Sequence, residues 1–188
     1  MKQSLGAKTL LLPTPVWIVG TFDAEGKANA AAVAWGGICC SKPPCVGVSL
    51  RAATYSHGNI MKREAFTVNV PSVDQAAAAD YFGMASGRDV DKFAATGLTP
   101  VKSDLVDAPY IAEFPVIAEC KLYKVVELGL HTQFVGEIVD VKADASVVEE
   151  GSANIELVKP FVYNTHRQMY YGIGEAVGPA FEMGKTIG

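Results

Sequence analysis

Cysteine is scarce in this chain. Its 188 residues hold four, at Cys39, Cys40, Cys45 and Cys120, too few for a disulfide scaffold. No C-x-x-C occurs, so neither a zinc ribbon nor a thioredoxin-type pair is signalled. The four read as reduced thiols, small hydrophobes of the interior; the alternative is a redox or metal role for Cys40 and Cys45. Histidine is scarcer, at His57, His131 and His166, and without H-E-x-x-H a zinc hydrolase is not expected. No metal site is expected. The chain has no G-x-x-x-x-G-K-[ST] loop and no G-x-S-x-G elbow. The glycines at 172, 174 and 178 are spaced one residue too wide for the dinucleotide fingerprint. No apolar run reaches the roughly 18 residues of a membrane span, and Lys8 interrupts any leader-like apolar region. The expectation is a cytoplasmic protein with no membrane partner. Positive charge is also short. Sixteen Lys and Arg against 20 Asp and Glu give a net charge of −4, a surface that repels polyanions and argues against nucleic acid as a partner.

What is present is core material. Hydrophobic residues make up 49% and charged residues 19%, a globular composition of a length suited to one domain over residues 1–188. Strands are expected at residues 16–22 (VWIVGTF), 28–35 (ANAAAVAW), 45–51 (CVGVSLR), 65–70 (AFTVNV), 115–126 and 134–142. The second is alanine-rich, which favours helix by propensity. The turn at 23–26 and Gly36-Gly37 after it favour a returning strand, with a closely packed helix as the alternative. Short helices are expected from Thr54 or Ser56 to Arg63, at 73–82 and at 89–95; residues 94–109 read as loop and 144–156 as exposed. Strands in a run, without long alternating helices, point to a mainly β fold: a closed or partly closed antiparallel barrel with a few short helices.

The polar signals sit at strand ends. Ser49-Leu50-Arg51 closes a strand and Thr54-Tyr55-Ser56 opens a helix, an arrangement that offers free amides, hydroxyls and a positive dipole end to a phosphate. The plainer alternative is a helix cap with a solvated arginine. In Ser86-Gly87-Arg88-Asp89-Val90-Asp91-Lys92-Phe93, Arg88 and Lys92 are four apart. On a helix they share a face and hold one anion together, or they pair with Asp89 and Asp91 at the surface. The small side chains of 28–35 leave room for something flat.

Five segments in order resemble the flavin reductase-like family: Asn29 to Trp35, Pro44 to Arg51, Phe66 to Pro71, Ser86-Gly87-Arg88 with Asp91-Lys92-Phe93, and Gly129 to Asp140 with its H-x-x-F-V-G-E-I. The resemblance runs from about Pro13 to the tail and implies an FMN-binding split β-barrel of Greek-key antiparallel type. It implies FMN as cofactor, with its ring and ribityl chain on Asn29, Ala32 and Trp35. The phosphate falls to Ser49, Leu50, Arg51, Thr54, Tyr55, Ser86, Gly87, Arg88 and Lys92. His131 becomes the catalytic candidate, a partner for the flavin face or an incoming donor. Leu130 stands where many NAD(P)H-using members carry an acidic residue, which favours a flavoredoxin-type electron carrier. An NAD(P)H:FMN oxidoreductase and a non-redox flavin-binding module are the alternatives. The expected partners are a twin subunit, which covers the exposed apolar stretch 176–181 in a homodimer, and an unidentified redox donor and acceptor, NAD(P)H among the candidates.

Overall fold

A computed structural model describes residues 1–187. Seven strands carry the fold: β1 (Trp17–Phe22), β2 (Ala28–Val33), β3 (Gly36–Ser41), β4 (Pro44–Arg51), β5 (Ala65–Val70), β6 (Val116–Leu128) and β7 (His131–Ala143). They form one antiparallel sheet in the order β2-β1-β5-β6-β7-β4-β3. Four short helices decorate it: α1 (Tyr55–Arg63), α2 (Ala76–Met84), α3 (Lys92–Thr96) and α4 (Ile155–Val158). The sheet wraps around one core. Val19, Val33, Val46, Val48, Phe66, Val68 and Phe134, from both halves of the strand order, meet there. The edge strands β2 and β3 do not pair, so the barrel is split rather than closed.

Alternation along β1 and β2 builds a second core on the outer face. Val19 and Val33 point into the first cluster; Ile18 and Ala30 point into the second, against Ala79 and Phe82 of α2 and Phe93 of α3. The alanine run is therefore a strand. Its small side chains let α2 lie close against the sheet. Asn69 of β5 ties the layers together: its Nδ2 donates to the Ile18 carbonyl and its Oδ1 accepts from the Ile111 amide, both at 2.9 Å.

Several boundaries differ from the sequence expectation. The strand β3 starts at Gly36-Gly37, which the sequence presents as the stop after the alanine strand. A Cβ on Gly36 would stand 2.7 Å from the Trp17 ring, so the glycine is there for close packing and not for a turn. β7 begins at His131 rather than at 134, because the connection to β6 is only Gly129-Leu130, with Gly129 at φ +77°. Residues 94–109 are not all loop. Pro100–Lys102 pairs with Pro109–Ile111. The expected helix at 89–95 starts only at Lys92, behind an Asp91 cap. The stretch 144–156 holds a small hairpin and the buried Val147. Phe161–Asn164 pairs with Thr14–Pro15 and with Met169–Gly172.

Candidate functional site

The turn between β1 and β2 is the foundation of the site. Asp23 Oδ1 accepts from the amides of Glu25 and Lys27, at 2.9 and 2.8 Å, and Oδ2 accepts from the Tyr55 hydroxyl at 2.9 Å. Burial alone would raise the Asp23 carboxyl, but the Lys27 amide, Tyr55 and the Glu25 amide outweigh it and hold its pKa below the ordinary value. Tyr55, raised chiefly by that same bond, is thereby fixed at the start of α1. Thr54 caps the helix, its Oγ1 accepting from the His57 amide at 3.4 Å and donating to the Arg51 carbonyl at 2.9 Å. Arg63, in the last turn, donates from Nε to the Asp23 carbonyl at 2.9 Å. Both ends of α1 are thus tied to one hairpin turn. His57 adds a third tie through Thr132, which bonds Glu127 in turn, at 2.9 and 3.0 Å.

The N-terminus of α1 opens on a cavity of about 350 Å³. Ten of the thirteen residues singled out from the sequence line it: Asn29, Ala32, Leu50, Arg51, Thr54, Tyr55, Ser86, Gly87, Arg88 and Lys92. Trp35 lies beyond them, in an adjoining cleft of about 930 Å³. Ser49 does not line either space. It alternates with Leu50, and its amide donates to the Trp35 carbonyl at 2.8 Å. His131 does not line either space. It sits half-buried at the rim, opposite Arg51 across the β4–β7 ladder.

Arg88 and Lys92 reach the cavity by different routes, and not from one helical face as the four-residue spacing suggested. Arg88 is exposed in the turn before α3. Its guanidinium donates to the Ala53 carbonyl at 2.8 Å and lies 5.3 Å from the Tyr55 ring centre. Lys92 is buried on α3, its Nζ donating to the carbonyls of Ala30 and Phe82 at 2.7 and 2.9 Å. Desolvation lowers its pKa to about 8. Two acceptors leave one of its three N–H groups uncommitted within the cavity wall.

Two features show that the cavity fits a polar ligand. Asn29 Nδ2 donates to Ser56 Oγ at 2.9 Å, while its buried Oδ1 accepts from nothing. A buried acceptor without a donor is costly, so a ligand hydroxyl has a place to donate. A Cβ on Gly87 would collide with that same Oδ1 and lie 2.9 Å from the Tyr55 ring. The glycine keeps the backbone close and the cavity open. The sequence reading missed Gly83, whose missing Cβ would stand 3.2 Å from Ala32. Gly83, Ala32 and Arg51 line both spaces and form the neck between them. His166 and residues 7–10, also not anticipated, wall the wider cleft. No local motif marked any of them; the fold brings them in from the chain ends.

Among the described residues, no group of three or more His, Cys, Asp or Glu side chains is arranged to hold a metal ion. No helix is long and apolar enough to cross a membrane.

The flavoredoxin of Desulfovibrio vulgaris (Miyazaki F) superposes with a TM-score of 0.94 at 49% identity, over 98% of this chain and 100% of that one. A flavoredoxin from Methanosarcina acetivorans superposes at 0.90 with 26% identity, over 100% and 98%. By sequence, a high molecular weight rubredoxin from Moorella thermoacetica is 27% identical over 147 residues, 77% of this chain and 58% of that protein. Residues 9–172, which span every strand of the sheet and every wall of the cavity except residues 7 and 8 of the outer cleft, match the model of the flavin reductase like domain, and the chain belongs to that family.

Proposed function

We propose that this protein is an FMN-binding redox protein of the flavoredoxin type, a cytoplasmic homodimer that passes electrons between a reduced donor and an acceptor through its bound flavin. One observation carries the reading. Groups that need a ligand, namely Asn29 Oδ1, the spare N–H of Lys92, the α1 N-terminus and Arg88, converge on one cavity that opens through a neck of small residues onto a broad cleft. The likeness to flavoredoxins supports FMN, and the match to a rubredoxin supports electron transfer.

When bound, FMN supplies a ring able to take up a hydride or single electrons. The chain binds and orients. Arg88 and Lys92 meet the phosphate charge, with the Ser86 hydroxyl and the free amides at the start of α1 completing its shell, while the Thr54 and Tyr55 hydroxyls, which donate to the Arg51 carbonyl and to Asp23, hold that start in place. Gly87 lets the backbone approach. Asn29 Oδ1 accepts from a ribityl hydroxyl. Leu50 and Ala32 supply apolar wall, and Trp35 bounds the ring's side of the neck. Arg51, present in both spaces, holds a cation beside the ring edge. Ser49 serves through its amide, keeping β4 in register with Trp35. His131, at the rim beside Arg51, orients the incoming donor. The exposed Val177 and Phe181 are covered by a twin subunit.

The purified protein should be yellow with oxidised flavin, bleached by dithionite and not by NADH or NADPH. Bleaching by a pyridine nucleotide would make it an NAD(P)H:FMN oxidoreductase instead. A yellow protein that no donor reduces would be a flavin-binding module. A colourless protein unable to take up FMN would overturn the reading. Sedimentation at micromolar concentration should give the dimer.

A further inference from the structure

The hairpin of β3 and β4 carries three thiols at its tip, around the turn Lys42-Pro43. Cys40 and Cys45 are directly opposed across the ladder, and the register skips Cys39, which sits in a bulge between Ile38 and Cys40. Directly opposed residues of an antiparallel pair have Cα atoms about 4.5–5.5 Å apart, inside the roughly 4.4–6.8 Å that a disulfide spans. Cys39 Sγ is engaged with the Cys45 carbonyl at 3.5 Å, which leaves Cys40 uncommitted. Access differs sharply: Cys39 and Cys40 are exposed, and Cys45 is buried. The edge strand β3 has no neighbour on its outer side, so nothing in the sheet covers Cys40. Burial, then Cys40 and Cys39, raise the Cys45 thiol.

We infer that Cys40 and Cys45 form a reversible dithiol site that is oxidised by low-molecular-weight disulfides, with Cys40 attacking and Cys45 resolving. The Cys40 thiolate attacks one sulfur of the small disulfide. A Cys40 mixed disulfide forms, the small S–S bond breaks, and one small thiolate leaves with the proton Cys40 gave up. The Cys45 thiolate then attacks Cys40 Sγ. The Cys40–Cys45 bond forms and the second small thiolate leaves with the Cys45 proton. Two protein thiols are oxidised and one small disulfide is reduced to two thiols. The buried Cys45 is out of reach of a bulky reagent but lies opposite Cys40. The site is separate from the cleft: Arg51 lies six residue steps along β4 from Cys45, about 20 Å at about 3.3 Å per step. Thiol and flavin chemistry do not touch, and this inference does not rest on the flavin reading.

The test is oxidised glutathione added to the purified protein, with thiol titration and intact mass as readouts. Wild type should lose two titratable thiols and retain no adduct at the end. The closing step should speed up by about tenfold per pH unit below the Cys45 pKa. Cys39→Ser should behave like wild type. Cys45→Ala should stop at one glutathione adduct, and Cys40→Ser, an exposed change, should close no disulfide. A persistent adduct on wild type, closure that survives Cys40→Ser, or no reaction with glutathione disulfide would overturn the proposal.

Discussion

The small cavity and the wide cleft share a neck but are built differently. In the cavity nearly every wall residue is fixed by something else. Asp23 holds Tyr55, Tyr55 carries Arg88, Lys92 is clamped by two carbonyls, and Gly87 presses on Asn29. The cleft is walled by Ala34, Trp35, Tyr163, Thr165, His166 and residues 7–10, and the 7–10 stretch is held to the opposite wall by one side-chain bond of 3.3 Å, from Thr165 to the Thr9 carbonyl. The contrast separates two tasks. A preorganised polar pocket grips a charged group with little reorganisation, whereas a loosely bounded cleft leaves room for traffic at the ring. Substitutions in the first should therefore cost far more affinity than substitutions in the second.

The largest effect is expected at Gly87. An alanine there must displace Asn29 or Tyr55. Overpacking of that kind costs about 1–3 kcal/mol, and the shifted turn also carries Arg88 away. Gly87→Ala should weaken FMN binding by about a hundredfold or more, read by flavin fluorescence titration. Next comes Arg88→Ala. Charge-assisted hydrogen bonds contribute about 1.5–3 kcal/mol, so FMN should bind about ten- to a hundredfold more weakly. Riboflavin, which lacks the phosphate, should not respond. Equal losses for both flavins would mean that Arg88 acts on folding or on the ring.

The third expectation concerns pH. Lys92 titrates near 8 in the fold, below its ordinary value of 10.5. Its charge is available to the phosphate below pH 8 and is lost above it, so FMN affinity should fall by up to about tenfold per pH unit from 8 to 9. The apoprotein should move the other way. Between 8 and 10.5 the unfolded chain binds the proton that folded Lys92 has released, so stability rises with pH. Parallel trends would remove Lys92 from the site. The smallest effect should be in the cleft: Trp35→Leu should change FMN and riboflavin affinity alike, and by less than about tenfold.

The cavity was more legible in the sequence than the cleft, for a physical reason. Most of its polar walls come from short contiguous segments, residues 50–56 and 86–92, whose polar groups fall within a turn of one another. The cleft is assembled from residues 7–10, 34–35 and 163–166, and no local pattern announces that the chain ends meet. The alanine strand was readable because the glycine turn before it outweighs helix propensity. The strand β3 was not, since Gly36 looks like punctuation until Trp17 is seen against it. The four-residue spacing of Arg88 and Lys92 misled because the Asp91 cap starts the helix after Arg88, so one cation arrives from solvent and the other from the core.

The most direct test of the account is the affinity of the unmodified apoprotein for FMN against riboflavin, measured side by side at pH 7. The two ligands share ring and ribityl chain and differ only in the phosphate that the cavity is built to grip. FMN should bind at least about a hundredfold more tightly. Equal affinities would show that the cavity beneath α1 does not hold the phosphate and would contradict the central claim.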